Sequence, residues 1–165
     1  LVASETVGIG DLPRIDDPDA VGVALERAGA GDVMTTLDDG PSTQLGKSFL
    51  GGRDLSGGQW QKLALGRGMM RDRPLVLILD EPTASLDAET EHRLFESYAG
   101  AARRARSQTG AITILVSHRF STVRAADLIV VVDEGRVVEA GSHGELMRRG
   151  GLYSELFTLQ ARAYR

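Results

Sequence analysis

Two near-continuous apolar runs, Leu75-Val76-Leu77-Ile78-Leu79 and Ile112-Thr113-Ile114-Leu115-Val116, constrain this chain more than anything else in it. Both are bounded by polar turns, and between them Ala88 to about Arg106 is polar-faced and free of proline. Such runs suit strands buried on both faces of a parallel sheet. Strand, helix, strand with a right-handed crossover is the simplest path, so the expected class is α/β. Each run falls far short of the ~20 apolar residues that a bilayer span needs. The 165 residues are enough to bury roughly 68–70% of the unfolded surface, so a core is feasible.

The first seventy residues read differently, as short helices and loops. Asp17-Pro18-Asp19 offers an N-cap, a proline at the first helical position and an acidic first turn. Val21, Ala24, Leu25 and Ala28 follow at helical spacing, with Gly29 as a stop. A second short helix is expected from Asp32 to Leu37, and the glycines at 46, 51 and 52 argue for an irregular connection over 45–54. A further helix should follow Leu55-Ser56-Gly57-Gly58-Gln59 and carry Leu63, Met69 and Met70 to Arg71. After the apolar runs, Leu128 to Val132, the turn Asp133-Glu134-Gly135-Arg136 and Val137-Val138 read as a hairpin. Ser142 and Glu145 form an S-x-x-E capping box, and Leu152, Leu156 and Leu159 line a last helix.

A net charge of −4 argues against broad electrostatic binding to nucleic acid or anionic lipid. Zero cysteines exclude a disulfide framework and thiol chemistry, which fits a reducing compartment. The opening Leu1-Val2-Ala3-Ser4 has neither the charged start nor the apolar stretch of a signal peptide and no initiator Met, so a longer protein is expected.

Two local patterns carry chemistry. Asp80-Glu81-Pro82 places adjacent carboxylates at the C-terminal end of an apolar strand, where open α/β sheets hold their ligands; a strand-end turn is the bland alternative. Ser56-Gly57-Gly58 opens a helix, so unscreened backbone N–H groups and the positive end of the helix dipole meet at one point, which suits a phosphate. Alone it would read as a flexible linker. Gly46-Lys47-Ser48 is not a phosphate loop: five residues rather than four separate Gly40 from Gly46, position 41 is Pro, and no buried strand leads into it.

Taken in order, Leu55 to Gln59, the run Leu75 to Glu81, Ser85-Leu86-Asp87 and His118 resemble the signature motif, Walker B, D-loop and switch histidine of the nucleotide-binding domain of ATP-binding cassette (ABC) proteins. The resemblance covers nearly the whole chain. Val7-Gly8-Ile9-Gly10-Asp11 is similar to the segment after the Q-loop of exporter-type cassettes, and Gly135 to Leu146 with Gly151, Tyr153 and Leu156 resembles the end of transporters whose cassette follows a membrane domain.

The resemblance implies an α/β, P-loop NTPase-like (RecA-like) parallel-sheet core with an ABC helical subdomain, truncated at the N-terminus. Residues 1–73 would be the helical subdomain and 74–165 the C-terminal part of the core. Walker A and the Q-loop would lie before Leu1, so these residues alone are expected to bind ATP weakly, to hydrolyse none, and to leave an open sheet edge and apolar surface that make them poorly soluble. Cassettes of this family work as head-to-tail pairs with ATP and Mg²⁺ between them. Leu55, Ser56, Gly57, Gly58 and Gln59 would then face the γ-phosphate held by a second, identical or different cassette, with Asp80 on Mg²⁺. Glu81 would orient the attacking water, His118 would contact the γ-phosphate, and Asp87 would communicate across the pair. A carboxylate of pKa ~4.3 is a weak base at pH 7, but phosphoryl transfer rewards positioning more than proton abstraction.

The implied function is an ATPase domain that drives an exporter, with a transmembrane domain fused upstream, at the cytoplasmic face of the cell membrane and with no nucleic acid partner. A soluble ABC ATPase acting on DNA ends or ribosomes, and a cassette that only dimerises, are the alternatives. Two departures from the family pattern stand out. Gly66 and Gly68 occupy signature-helix positions where alanine is common, each at a cost of up to ~1 kcal/mol. Gly46-Lys47 replaces an acidic segment that touches the membrane domain. Elsewhere the plain readings hold: His92 and His143 as solvated residues, Trp60 packed on the signature helix, Arg103, Arg104 and Arg106 complementing a helix C-terminus, and Met69 and Met70 in the core.

Overall fold

The structure, a computed structural model, describes residues 1–82, 98–100, 102–103 and 105–163. They form two compact units, Leu1–Ile114 and Leu115–Arg165.

In the first unit the helices are α1 (Ala3–Gly8), α2 (Pro18–Arg27), α3 (Gly31–Thr35) and α4 (Gly57–Gly68). The Asp17 carboxylate accepts from the amides of Asp19 at 3.0 Å and Ala20 at 3.1 Å, which starts α2 as the sequence predicts. Helix α4 packs against α1 and α2, and Val7, Val33, Leu63 and Met70 are fully buried at the centre. Met69 is buried with them. Gly10 lies so close to α4 that a Cβ there would collide with the Arg67 carbonyl.

Helix α4 runs unbroken through Gly66 but ends at Gly68, short of the expected Arg71. Arginines from elsewhere in the unit take over the carbonyls that would have extended it. Arg27 donates to the Met69 carbonyl at 3.3 Å and Arg14 to that of Met70 at 2.7 Å. Cationic side chains at a helix C-terminus satisfy its last acceptors and its dipole together.

The same two guanidiniums pair with Asp72, at 2.8 Å from Arg14 and 3.0 Å from Arg27. Hydrogen bonds from Arg14 and then Arg27 hold its carboxyl below the usual aspartate range. A carboxyl depressed on folding stabilises above its unfolded pKa of ~3.9, and that contribution is lost as pH falls through the folded value. Asp72→Asn is therefore expected to lower the unfolding free energy measured in urea at pH 7 by at most about 1 kcal/mol, because the side chain is half exposed. The gap between the variant and the parent should therefore shrink steadily as pH falls below the unfolded value; a gap that stays constant or widens on acidification would contradict this origin.

Strands β1 (Val76–Asp80) and β2 (Ile112–Val116) form a two-stranded sheet. The Ile112 amide donates to the Leu75 carbonyl at 3.0 Å, so both strands start at the same end and run parallel. Most of the long helix expected over Ala88 to Arg106 lies outside the described residues; 98–100, 102–103 and 105–109 are helical. The expected burial on both faces is not met. Leu79 is buried, but Ile78 and Ile112 are 63% and 62% exposed, because no described element covers the remaining strand surface.

The second unit holds α5 (Phe120–Val123), β3 (Ile129–Asp133), β4 (Arg136–Gly141), α6 (His143–Arg149) and α7 (Leu152–Ala163). β3 and β4 pair antiparallel, joined at Asp133↔Arg136 by Glu134 and Gly135, both at positive φ, 45° and 75°. Two such residues in succession make the primed turn whose twist matches paired strands. At α6 the capping box forms: Ser142 donates its amide to Glu145 at 2.8 Å, which keeps the Glu145 carboxyl below its ordinary range. Ile129, Leu146 and Tyr153 form the core, with Val123, Val131, Met147 and Phe157 packed around them.

Two expectations change in this unit. Leu156 and Leu159 are exposed, and α7 turns Tyr153 and Phe157 inward instead. The Glu139 carboxylate on β4 accepts the Tyr153 amide at 2.7 Å, which sets the rotation of the helix at its start. His143 is not a solvated residue: its ring lies against Tyr153 and Phe157, with Nδ1 2.9 Å from the Tyr153 hydroxyl. Burial pushes the Tyr153 phenol above its ordinary pKa. Among the described residues no helix is long and apolar enough to cross a membrane.

Candidate functional site

Ser56 caps α4, and the box is reciprocal: its amide donates to Gln59 Oε1 at 2.9 Å and its hydroxyl accepts the Gln59 amide at 3.2 Å. Leu55 is buried behind it, while Ser56 and Gly57 are exposed and Gly58 and Gln59 half-buried. The amides of Gly57 and Gly58, the first two of the helix, have no acceptor among the described residues. No acidic residue sits in the first turn of α4, unlike α2 with Asp19 and α6 with Glu145. The positive helix end is thus exposed and uncompensated, which is the chemistry of an anion seat. It is also held in place, because Gln59 Nε2 donates to Thr36 Oγ1 at 3.3 Å and Lys62 pairs with Asp32 at 2.6 Å.

The carboxylates stand at the end of β1. Asp80 is its last residue, Glu81 follows, both are exposed, and Pro82 is buried. Glu81 has φ 44°, a left-handed backbone that costs a non-glycine residue on the order of 1 kcal/mol. Its carbonyl accepts a hydrogen bond from Gln61 Nε2 at 3.1 Å. One stripe of α4, Gln61, Ala64, Leu65 and Gly68, faces Ile78 to Asp80 and Pro82 across a cleft of about 160 Å³. The signature turn and the strand-end carboxylates therefore belong to one body, joined through the first two turns of α4.

His118 is exposed and belongs to the second unit, where its carbonyl accepts from Gln160 Nε2 at 3.1 Å. Asp87 lies outside the described residues. Trp60 is 37% exposed. Gln61 was not among the residues singled out from sequence. Its sharing of one helix face with 64, 65 and 68 is readable from their i, i+3, i+4, i+7 spacing, but its bond to residue 81 is not.

Comparison with known proteins gives these parts a setting. A family model described as ABC transporter matches residues 16–84. The mitochondrial potassium channel ATP-binding subunit of Rattus norvegicus is 42% identical over 157 residues, 95% of this chain and 20% of that protein. An ATP-dependent lipid A-core flippase of Ralstonia nicotianae is 42% identical over 160 residues, 97% of this chain and 25% of its own length. The solved structure of a bacterial Atm1-family ABC exporter with ATP bound superposes with a TM-score of 0.79 at 33% identity, covering 97% of this chain and 26% of that one. The chain spans about a fifth to a quarter of the length of these relatives. It has the mixed α/β, P-loop NTPase-like fold of the ABC domain, and it belongs to the ATP-binding part of the ABC transporter family.

Proposed function

We propose that this chain is part of an ATPase domain that powers export across a membrane, working head to tail with a second cassette, identical or different, and coupled to a transmembrane domain in the same protein. The single observation that carries the reading is the exposed, acid-free tip of α4 with two unclaimed glycine amides, in a chain about 40% identical to ATP-dependent exporter components. On this reading 1–73 act as the helical subdomain, 74–165 as part of the nucleotide core, and the phosphate loop comes from residues outside these 165.

The donor set suits Mg-ATP. Ser56, Gly57 and Gly58 donate to a terminal phosphate held by the partner cassette. Asp80 offers one exposed carboxylate, and among the described residues no cluster of three metal-ligating groups competes with it; a single carboxylate beside phosphate oxygens is a common way to hold Mg²⁺. Bound Mg²⁺ neutralises charge on the phosphates. Glu81 orients water by accepting its hydrogen bonds, His118 contacts the γ-phosphate, and Asp87 works across the pair. The site would operate at the cytoplasmic face of the membrane.

The test is made on the complete protein in lipid. Ser56→Arg, which puts a bulky side chain at the tip of α4, is expected to lower ATP turnover at least about tenfold, as misplacement of a reacting group does. Wild-type turnover in that variant would remove the signature turn from the mechanism. Apolar spans encoded upstream of Leu1 support export; a coiled coil or a second cassette there would favour a soluble ATPase instead.

A further inference from the structure

We infer that Gln61 is a positioning residue for Glu81, and that through it one cassette ties the nucleotide it touches at the tip of α4 to the carboxylate it places on its own nucleotide. The inference rests on the ATPase reading above. It stands on a contact between side chain and backbone: Gln61 Nε2 donates to the Glu81 carbonyl at 3.1 Å.

That carbonyl belongs to a residue in a left-handed conformation, φ 44°, which a glutamate adopts only where its surroundings over-determine it. Backbone rotation at Glu81 decides where its carboxylate points. Relaxation to negative φ would swing the side chain away from the end of β1, and the Gln61 amide opposes that rotation. Gln61 itself is firmly placed. It lies five residues into α4 from Ser56, about 7.5 Å along the axis, and the adjacent Lys62 is paired with Asp32.

In a head-to-tail pair the tip of α4 serves the opposite nucleotide, whereas Glu81 serves the cassette's own. A shift of α4 on nucleotide capture therefore reaches Glu81 without passing through any other element. The link is one hydrogen bond long.

The experiment measures kcat and KM for ATP, and the melting temperature, in the complete protein carrying Gln61→Met, which keeps the length of the side chain without its donor, and Gln61→Ala, with Glu81→Gln as reference. Both Gln61 variants are expected to lose about tenfold or more in kcat, with KM for ATP within about twofold and an unchanged melting temperature, the pattern of an interaction made only in the transition state. A kcat within about twofold of the parent, or a raised KM with kcat intact, overturns the inference. Should Glu81→Gln itself keep parental turnover, it is the ATPase reading that fails.

Discussion

Replacing Glu81 with glutamine in the complete protein is expected to cut ATP turnover by about a hundredfold or more, while ATP binding stays within about threefold. The substitution is isosteric, so the strand end and the Gln61 bond to the residue-81 carbonyl are kept. What changes is that one carboxylate oxygen becomes an NH₂ group, which donates where the attacking water needs an acceptor. Positioning and charge stabilisation dominate a loose phosphoryl-transfer transition state, so the loss should fall on kcat and spare KM. Radiolabelled ATP retained on the variant under conditions where the parent releases phosphate would be the direct readout. Turnover equal to the parent's would leave a cassette that only dimerises.

The largest effect on stability is expected at Gly10. An added Cβ there collides with the Arg67 carbonyl and comes within 3.1 Å of the Met70 side chain. A carbonyl in the last turn of α4 cannot move aside as the end of a flexible side chain can, so α1 and its following turn must back away from a core that includes Val7 and Met70. Overpacking of this kind costs about 3 kcal/mol, so Gly10→Ala should lower the melting temperature by roughly 6–12 °C. Gly68→Ala, where the space is open, is the control and should lie within a few degrees of the parent. Equal melting temperatures for all three proteins would show that the close approach carries no load.

Which features were readable from the amino-acid order follows from how local their causes are. The Asp17-Pro18 start of α2, the Glu134-Gly135 turn and the Ser142–Glu145 box all arise within a few residues, and the structure has each of them. The signature turn and the strand-end carboxylates were readable as motifs, and both stand exposed at element ends. The end of α4 was not readable, because Arg14 and Arg27 reach it from more than forty residues away. Nor was the inward face of α7, set by Glu139 from β4. The apolar runs gave the strands correctly and their burial wrongly, since burial depends on what is packed against a strand and not on the strand alone. Gln61 falls in the same class: a bond between positions 61 and 81 exists only once the helix and the strand are placed.

Helix α4 is fastened near both ends, by Thr36 and Asp32 beside its tip and by the two arginines that meet Asp72 just past its tail. A twelve-residue rod so anchored, about 18 Å long, has little freedom to bend or slide alone. Displacing its tip carries α1, α2 and α3 along as a block, and the work done by a captured anion would appear at the far side of that block as motion instead of being absorbed as local distortion.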